Sequence, residues 1–382
     1  MVVADQHKYV LGNRRISCWL LVSMLGNLLL VNGWKGSHVS ALSPKISLEQ
    51  ALVGESEALK VLGDARVWLG QRVMDPKAQL VAEFVKSIRV PGYFPPLKEL
   101  RQQLVKAVEV LDEPAPALAR KENLTVPGPA GEICARIYAS VSSGLTALPV
   151  LAYFHGGGWV QGDLETHDGL CARLALWSGA MVIAFEYRLA PEHKFPAAVD
   201  DCCAAYLWLR DHGAEIGADS GRVAVAGDSA GGNLAAVVCQ QMTRGDVGPP
   251  MFQVLLYPAT DMIFDTLSHS ERAQDEFIPR DRLDWYLQQY LNGDADKDDP
   301  RASPLRTRDL SGQPPALIIY GGFDPLRDDG RLYAERLNAS GVDVTIHEYP
   351  GQIHAFLSLT KAIPQGIQAT REVADYMWRQ FL

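Results

Sequence analysis

The sequence predicts an α/β protein, a mostly parallel sheet with helices on both faces, and three observations carry that expectation. From about residue 122 onward, short apolar runs alternate with stretches of helical periodicity, as in a chain of strand–helix units. Two glycine clusters, His155-Gly156-Gly157-Gly158-Trp159 and Gly227-Asp228-Ser229-Ala230-Gly231, each follow directly on one of those apolar runs. At 382 residues and 47% hydrophobic content, the chain can bury a large core. A prior of about 150 residues per domain admits one such domain with an added cap.

Taken in order, Lys8, Arg14 and Arg15 precede the uncharged stretch 16–31, and Val39-Ser40-Ala41 offers small residues for cleavage. The stretch is shorter than the ~20 apolar residues that comfortably span a bilayer, so it reads as an export signal. Residues 1–41 are therefore expected to be a signal peptide or membrane-targeting segment of an exported protein. A cytoplasmic hydrophobic extension is the alternative. Residues 42–73 form an N-terminal extension, and 74–120 a helical cap. Apolar spacing of three and four predicts helices over 48–69, 74–88 and 96–111, with Pro91, Pro95 and Pro96 between the last two and Pro114 and Pro116 closing the region.

The catalytic domain is expected over 121–382. Strands are predicted at 133–138, 150–154, 181–186, 222–226, 253–257, 316–320 and 344–349. Helices are predicted at 197–211, 230–243, 327–339 and from about 364 to 381. Segment 261–310 breaks the alternation, with a helix over 281–291, a charged run at 294–299 and no strand. It is expected to lie over the sheet as a lid with the N-terminal helices, a solvent-facing loop and helix being the alternative.

A formal net charge of −9 without a long Lys/Arg block lacks the footprint of a nucleic-acid-binding protein. The six cysteines show neither CxxC nor Cys/His ligand spacing, so no metal site is indicated and buried free thiols are expected.

The chemistry lies in the two glycine clusters. Gly-x-Ser-x-Gly alone arises by chance in about 0.15 of such sequences, and the His-Gly-Gly-Gly core in about 0.006. A serine between glycines, where a strand turns into a helix, sits on a turn so sharp that its hydroxyl is pushed outward. That hydroxyl needs a base, and the base needs a partner to fix its tautomer. His354, in Gly351-Gln352-Ile353-His354, and Asp324, in Gly321-Gly322-Phe323-Asp324-Pro325, each follow a predicted strand and give the chain order Ser229, Asp324, His354. Asp328 and Asp329 compete, but they stand at a helix start, where carboxylates usually cap. Asp228 is expected to hold the turn by hydrogen bonds. His155 is expected to position the glycine loop, and His193, His212, His269 and His347 read as surface or structural. Backbone N–H groups of Gly156, Gly157 and Ala230 would form the oxyanion hole, each donor lowering the barrier by about 3–4 kcal/mol.

These motifs, with Tyr187-Arg188-Leu189-Ala190-Pro191-Glu192-His193, Phe195-Pro196-Ala197-Ala198 followed by Asp200 and Asp201, and Gly322-Phe323-Asp324-Pro325-Leu326-Arg327-Asp328, make the chain resemble the hormone-sensitive-lipase-like branch of the α/β-hydrolases, in particular its bacterial GDSAG esterases. The resemblance covers about residue 74 to the C-terminus. It implies an α/β-hydrolase fold with a helical cap and hydrolysis of short- to medium-chain acyl esters through an acyl-enzyme. Ser229, His354 and Asp324 would be the triad, and no cofactor is implied. Trp159 and the cap would shape substrate choice. The expected partner is a small-molecule ester, with no nucleic acid and no stable membrane span after processing; a homodimer stays open. Residues 1–73 have no counterpart in the resemblance. Two alternatives remain: a ligand-binding protein on the same scaffold, as in the plant gibberellin receptors, which lack the catalytic histidine, and hydrolysis of an amide, lactone or sugar acetyl group.

Overall fold

The computed structural model describes residues 46–90, 92–141, 147–275 and 277–382. The signal segment expected at 1–41, and the extension up to residue 45, lie outside the described residues. The single helix expected over 48–69 is instead two short ones, α1 (Leu48–Ala51) and α2 (Glu55–Leu62), followed by a two-stranded ribbon of β1 (Trp68–Leu69) and β2 (Arg72–Val73). Glycines explain the difference. Gly54 is the N-cap of α2, Gly63 ends it at φ 50°, and Gly70 turns the ribbon at φ 59°, a left-handed conformation that favours glycine. Helix α3 (Pro76–Ile88) begins where the Asp75 carboxylate accepts the N–H groups of Lys77 (2.9 Å) and Ala78 (3.0 Å). Buried Lys77 donates to the carbonyls of Ala51 (3.0 Å) and Val53, tying the extension to α3. Helix α4 (Leu97–Leu111) follows.

The rest of the chain runs β3 (Arg120–Gly128), β4 (Gly131–Ala139), β5 (Leu148–Phe154), α5 (Asp168–Ser178), β6 (Met181–Phe185), α6 (Ala197–His212), β7 (Ala218–Asp228), α7 (Ala230–Arg244), β8 (Gln253–Leu256), α8 (Leu267–Glu271), α9 (Arg280–Tyr290), β9 (Ala316–Gly321), α10 (Arg327–Ala339), β10 (Val344–Tyr349) and α11 (Gln365–Phe381). The strands form one sheet in the order β10-β9-β8-β7-β5-β6-β4-β3. Strands β10 through β6 are parallel, and β4 and β3 are antiparallel to their neighbours. Alternation along the strands supplies two cores. Val150, Ala152 and Phe154 face α6, α7 and α10, whereas Leu151 and Tyr153 face α3, α5 and α11.

β5 lies between β6 and β7, so the chain leaves it in one direction across the sheet and returns on its other side. A parallel sheet opens a crevice at such a point, beyond the carboxyl ends of the strands. Both glycine clusters emerge there, one from β5 and one from β7. Among the described residues, segment 261–310 holds helices and 3-10 turns but no strand. Its Trp285 ring stacks on Phe94 at 4.8 Å, which joins it to the chain between α3 and α4. No described helix is long and apolar enough to cross a membrane.

Candidate active site

Ser229 stands between β7 and α7 at φ 54°, ψ −115°, a sparsely populated conformation for a residue with a side chain. The turn is held by close packing. A Cβ on Gly231 would overlap the carbonyl oxygen of Phe154, and one on Gly227 would overlap that of Gly231. The Ser229 N–H donates to Leu256 O at 2.8 Å and its carbonyl accepts from Asn233 N at 3.0 Å. With its backbone so fixed, Ser229 is left half-buried at the end of β7.

His354 Nε2 lies 2.9 Å from Ser229 Oγ, and its Nδ1 lies 2.7 Å from Asp324 Oδ2. Asp324 is fully buried, and its other oxygen accepts from Leu326 N at 2.7 Å. The structure thus brings Ser229, His354 and Asp324 into one hydrogen-bonded chain, from the ends of β7, β10 and β9. Burial pushes the His354 imidazole down, but the Asp324 charge and hydrogen bond, with help from Asp228 and Asp275, outweigh it and hold the group above its ordinary value.

The glycine loop corrects one expectation. Gly156 N–H donates to Asp228 Oδ1 at 2.8 Å, so it is engaged inside the protein and does not face the crevice. Among the described residues, no acceptor takes the N–H groups of Gly157, Gly158 or Ala230. Gly157 and Gly158 have φ of 122° and 63°, which suits glycine and turns the loop so that successive N–H groups diverge from Gly156. Trp159 corrects a second. Expected to bind substrate, it is 2% exposed, its ring stacked on Tyr290 at 4.6 Å and an interplanar angle of 6°. The ring covering the loop is Tyr286 of α9, against which any Cβ on Gly158 would collide, and its hydroxyl accepts from Gln161 Nε2 at 2.9 Å.

Asp228 binds the turn as its position suggests, but with a partner that the sequence reading passed over. Besides Gly156 N–H, its Oδ1 accepts from Tyr153 Oη at 2.8 Å and lies 3.0 Å from His167 Nε2. His167 precedes α5, a helix absent from the sequence expectation. The signal available was Asp163-Leu164-Glu165-Thr166 in front of an apolar-periodic segment, a helix-start pattern. His155 is buried beneath the loop, with Nδ1 2.8 Å from Gly156 O and its ring stacked on Tyr187 at 4.4 Å; burial, and then the charge of His167, push it down to about 4. The remaining motif residues are structural: Arg188 clasps the buried Asp201 carboxylate at 2.7–3.0 Å, and Tyr187 Oη donates to His155 O at 2.7 Å. Asp328 accepts Ser268 N at 2.8 Å and pairs with Arg327 and Arg331, while Asp329 accepts Thr260 N at 2.8 Å. Of the histidines read as surface or structural, His269 is buried and His212 is exposed.

A serine on a strained strand-to-helix turn, a glycine loop and a sheet of this order define a class. The alpha/beta hydrolase fold family model matches residues 151–358, and the chain belongs to that family, in its hormone-sensitive-lipase-like branch. It is 48% identical over 243 residues to the carboxylic ester hydrolase LipN of Mycobacterium tuberculosis, covering 62% of this chain and 64% of LipN, just under two thirds of that relative. Over 255 residues it is 43% identical to the esterase LipI of the same organism, covering 66% of this chain and 79% of LipI. An ester hydrolase from the Lake Arreo metagenome, solved with a bipyridine phosphonate derivative, superposes with a TM-score of 0.77 at 41% identity, covering 81% of this chain and 99% of that one.

Proposed function

We propose that the protein is a serine carboxylesterase acting on short- to medium-chain acyl esters. The reading rests on one observation, the continuous path from Ser229 Oγ through His354 to Asp324 at 2.9 and 2.7 Å. Ser229 Oγ attacks the ester carbonyl while His354 Nε2 takes its proton, and Asp324 holds the imidazole in the tautomer that leaves Nε2 free to accept. The carbonyl oxygen becomes an anion, received by the N–H groups of Gly157, Gly158 and Ala230. Collapse expels the alcohol, which takes the proton from His354. Water, deprotonated by the same imidazole, then attacks the acyl-enzyme and releases the acid. Helices α3, α4 and α9, with the chain around Phe94, serve as the cap that bounds the acyl chain.

The names of LipN, LipI and the Lake Arreo enzyme support ester hydrolysis. A histidine already hydrogen-bonded to the serine favours turnover over the ligand-binding alternative. Hydrolysis of p-nitrophenyl esters from acetate to palmitate, with Ser229→Ala as control, tests the reading. Activity is expected to be greatest on the shorter chains and to fall about 10⁴-fold or more in the variant. Undiminished activity in a folded Ser229→Ala protein would remove the nucleophile from the mechanism.

A further inference from the structure

We propose that His167 is a positioning residue for this acyl transfer: as an imidazolium it supplies the counter-charge that lets Asp228 hold the glycine loop at Gly156 without leaving a bare anion beside the oxyanion donors. The inference rests on the esterase reading and adds a residue to it.

The contacts of the two ring nitrogens favour a hydrogen on each. His167 Nε2 faces Asp228 Oδ1 at 3.0 Å, where a donor is favourable, and the Gly156 N–H, shared between Asp228 Oδ1 at 2.8 Å and His167 Nε2 at 3.4 Å, has its short and therefore stronger bond to the carboxylate. His167 Nδ1 lies 2.9 Å from Thr166 Oγ1, whose single proton goes to the Asp163 carbonyl at 2.8 Å while it accepts from Asp163 N at 2.9 Å. With its proton on the Asp163 carbonyl, that hydroxyl accepts from the ring at Nδ1. Both imidazole nitrogens therefore carry hydrogen, which makes the ring a cation.

The surroundings agree. His167 and Asp228 side chains are 6% and 5% exposed, and an unpaired carboxylate that deep is costly. Burial pushes His167 down, yet Asp228 and then Asp163 outweigh it and hold it above the ordinary imidazole value; burial pushes Asp228 up, and His167, Tyr153 and the Gly156 N–H bring it below the usual carboxylate range. Of the other groups facing the pair, His155 is neutral, pushed down to about 4, and burial pushes the Tyr153, Tyr187 and Tyr257 hydroxyls and the Cys171 thiol well up, so they are uncharged at neutral pH. His354 feels Asp228 as well. Deprotonating His167 would thus expose the Asp228 charge to the loop where negative charge must develop, and kcat would fall on the alkaline side.

The test uses the full chain and p-nitrophenyl butyrate. His167→Gln keeps an amide donor near the Nε2 position and removes the charge. We expect kcat to fall on the order of 10- to 100-fold, below the 10²–10³-fold of losing a donor outright, with KM within about twofold and without the wild-type alkaline limb. Adding Asp228→Asn, which restores neutrality, is expected to recover about tenfold or more. A His167→Gln enzyme with wild-type kcat and an unchanged alkaline limb, or a double variant no better than the single, overturns the proposal. Should either variant fail to fold, the wild-type imidazole decides by NMR: a buried histidine with both ring nitrogens protonated at neutral pH supports it, and a neutral His167 overturns it. Wild-type protein without turnover would sink the esterase reading; wild-type turnover with an unaffected His167→Gln sinks only this inference.

Discussion

Asp324→Asn separates a carboxylate that orients the base from one that merely fills space. Asp324 is fully buried, with one oxygen accepting Leu326 N at 2.7 Å and the other facing His354 Nδ1 at 2.7 Å. In the variant the amide oxygen stays with the Leu326 N–H, so the amide nitrogen, a donor, turns to His354. That forces the imidazole proton onto Nε2, the atom that must accept from Ser229. A wrong tautomer in this arrangement costs about 10⁴-fold in kcat, or about 5 kcal/mol of barrier. A second effect has a definite sign. The base works only when neutral, so activity rises with pH through the His354 pKa, and in the wild type that limb lies above the ordinary imidazole value because Asp324 holds the group up. Without that charge, burial dominates and the residual activity's acid limb moves to lower pH. A kcat/KM profile by initial rates, with circular dichroism to confirm folding, measures both. Activity within about tenfold of wild type, on an unshifted limb, would refute the argument.

Gly157→Ala should lower kcat by about 10²–10³-fold with little change in KM, since the new Cβ overlaps Gln161 O at φ 122° and the displaced donor serves only the developing anion; steady-state kinetics showing kcat nearly intact would remove Gly157 from the oxyanion hole. Arg173→Ala should destabilise the fold by about 3–5 kcal/mol, because Asp112, paired with it at 2.9 Å and also accepting Thr360 N at 3.0 Å, is left buried and charged. Urea denaturation measures this, and a loss below about 1 kcal/mol would mean that water reaches the pair. Asp329→Asn should leave the acid limb in place. Burial pushes the Asp329 carboxyl well above the usual range, with Asp261 and Asp324 adding to the effect, so a neutral group replaces a neutral group; a limb shifted to lower pH would show that Asp329 is ionised and acts on His354.

Most of the sheet was legible because its central strands, buried on both faces, are short, apolar and bounded by turns. β5, β6, β8 and β9 appear where the apolar runs place them, within two residues. β3 left no such trace. It is an edge strand whose Arg120, Lys121, Glu122 and Asn123 are mostly solvent-facing, with Pro127 tolerated because its neighbour lies on one side only. Helix α5 was missed for the opposite reason, being apolar nearly all round and packed beneath the sheet, so it has no polar face to mark a helical period. The extension departs from a single helix because Gly54 and Gly63 interrupt the apolar spacing over 48–69.

The site divides along the same line between type and environment. Sequence order and the strand-end positions select Ser229, Asp324 and His354, because a chain crossing a parallel sheet must deliver such residues to one edge. What they do not settle is the state of each group. Asp228 and Asp329 are both buried acids with a histidine close by, yet His167, 3.0 Å from Asp228, is held above its ordinary value, whereas His269, 3.3 Å from Asp329, is pushed down to about 4 by burial and then by Arg280 and brings no counter-charge. His155 and His167, with ring centroids 5.6 Å apart, are held on opposite sides of the ordinary value: burial pushes both down, His155 further by the charge of His167, whereas the Asp228 carboxylate more than offsets burial at His167. The Gly156 assignment failed on the same ground. A glycine run offers several N–H groups, and which of them point into the crevice depends on an acceptor 72 residues away in sequence. Residue type fixes which chemistry is available, but charge and donor direction are set by contacts that exist only after the strands have paired.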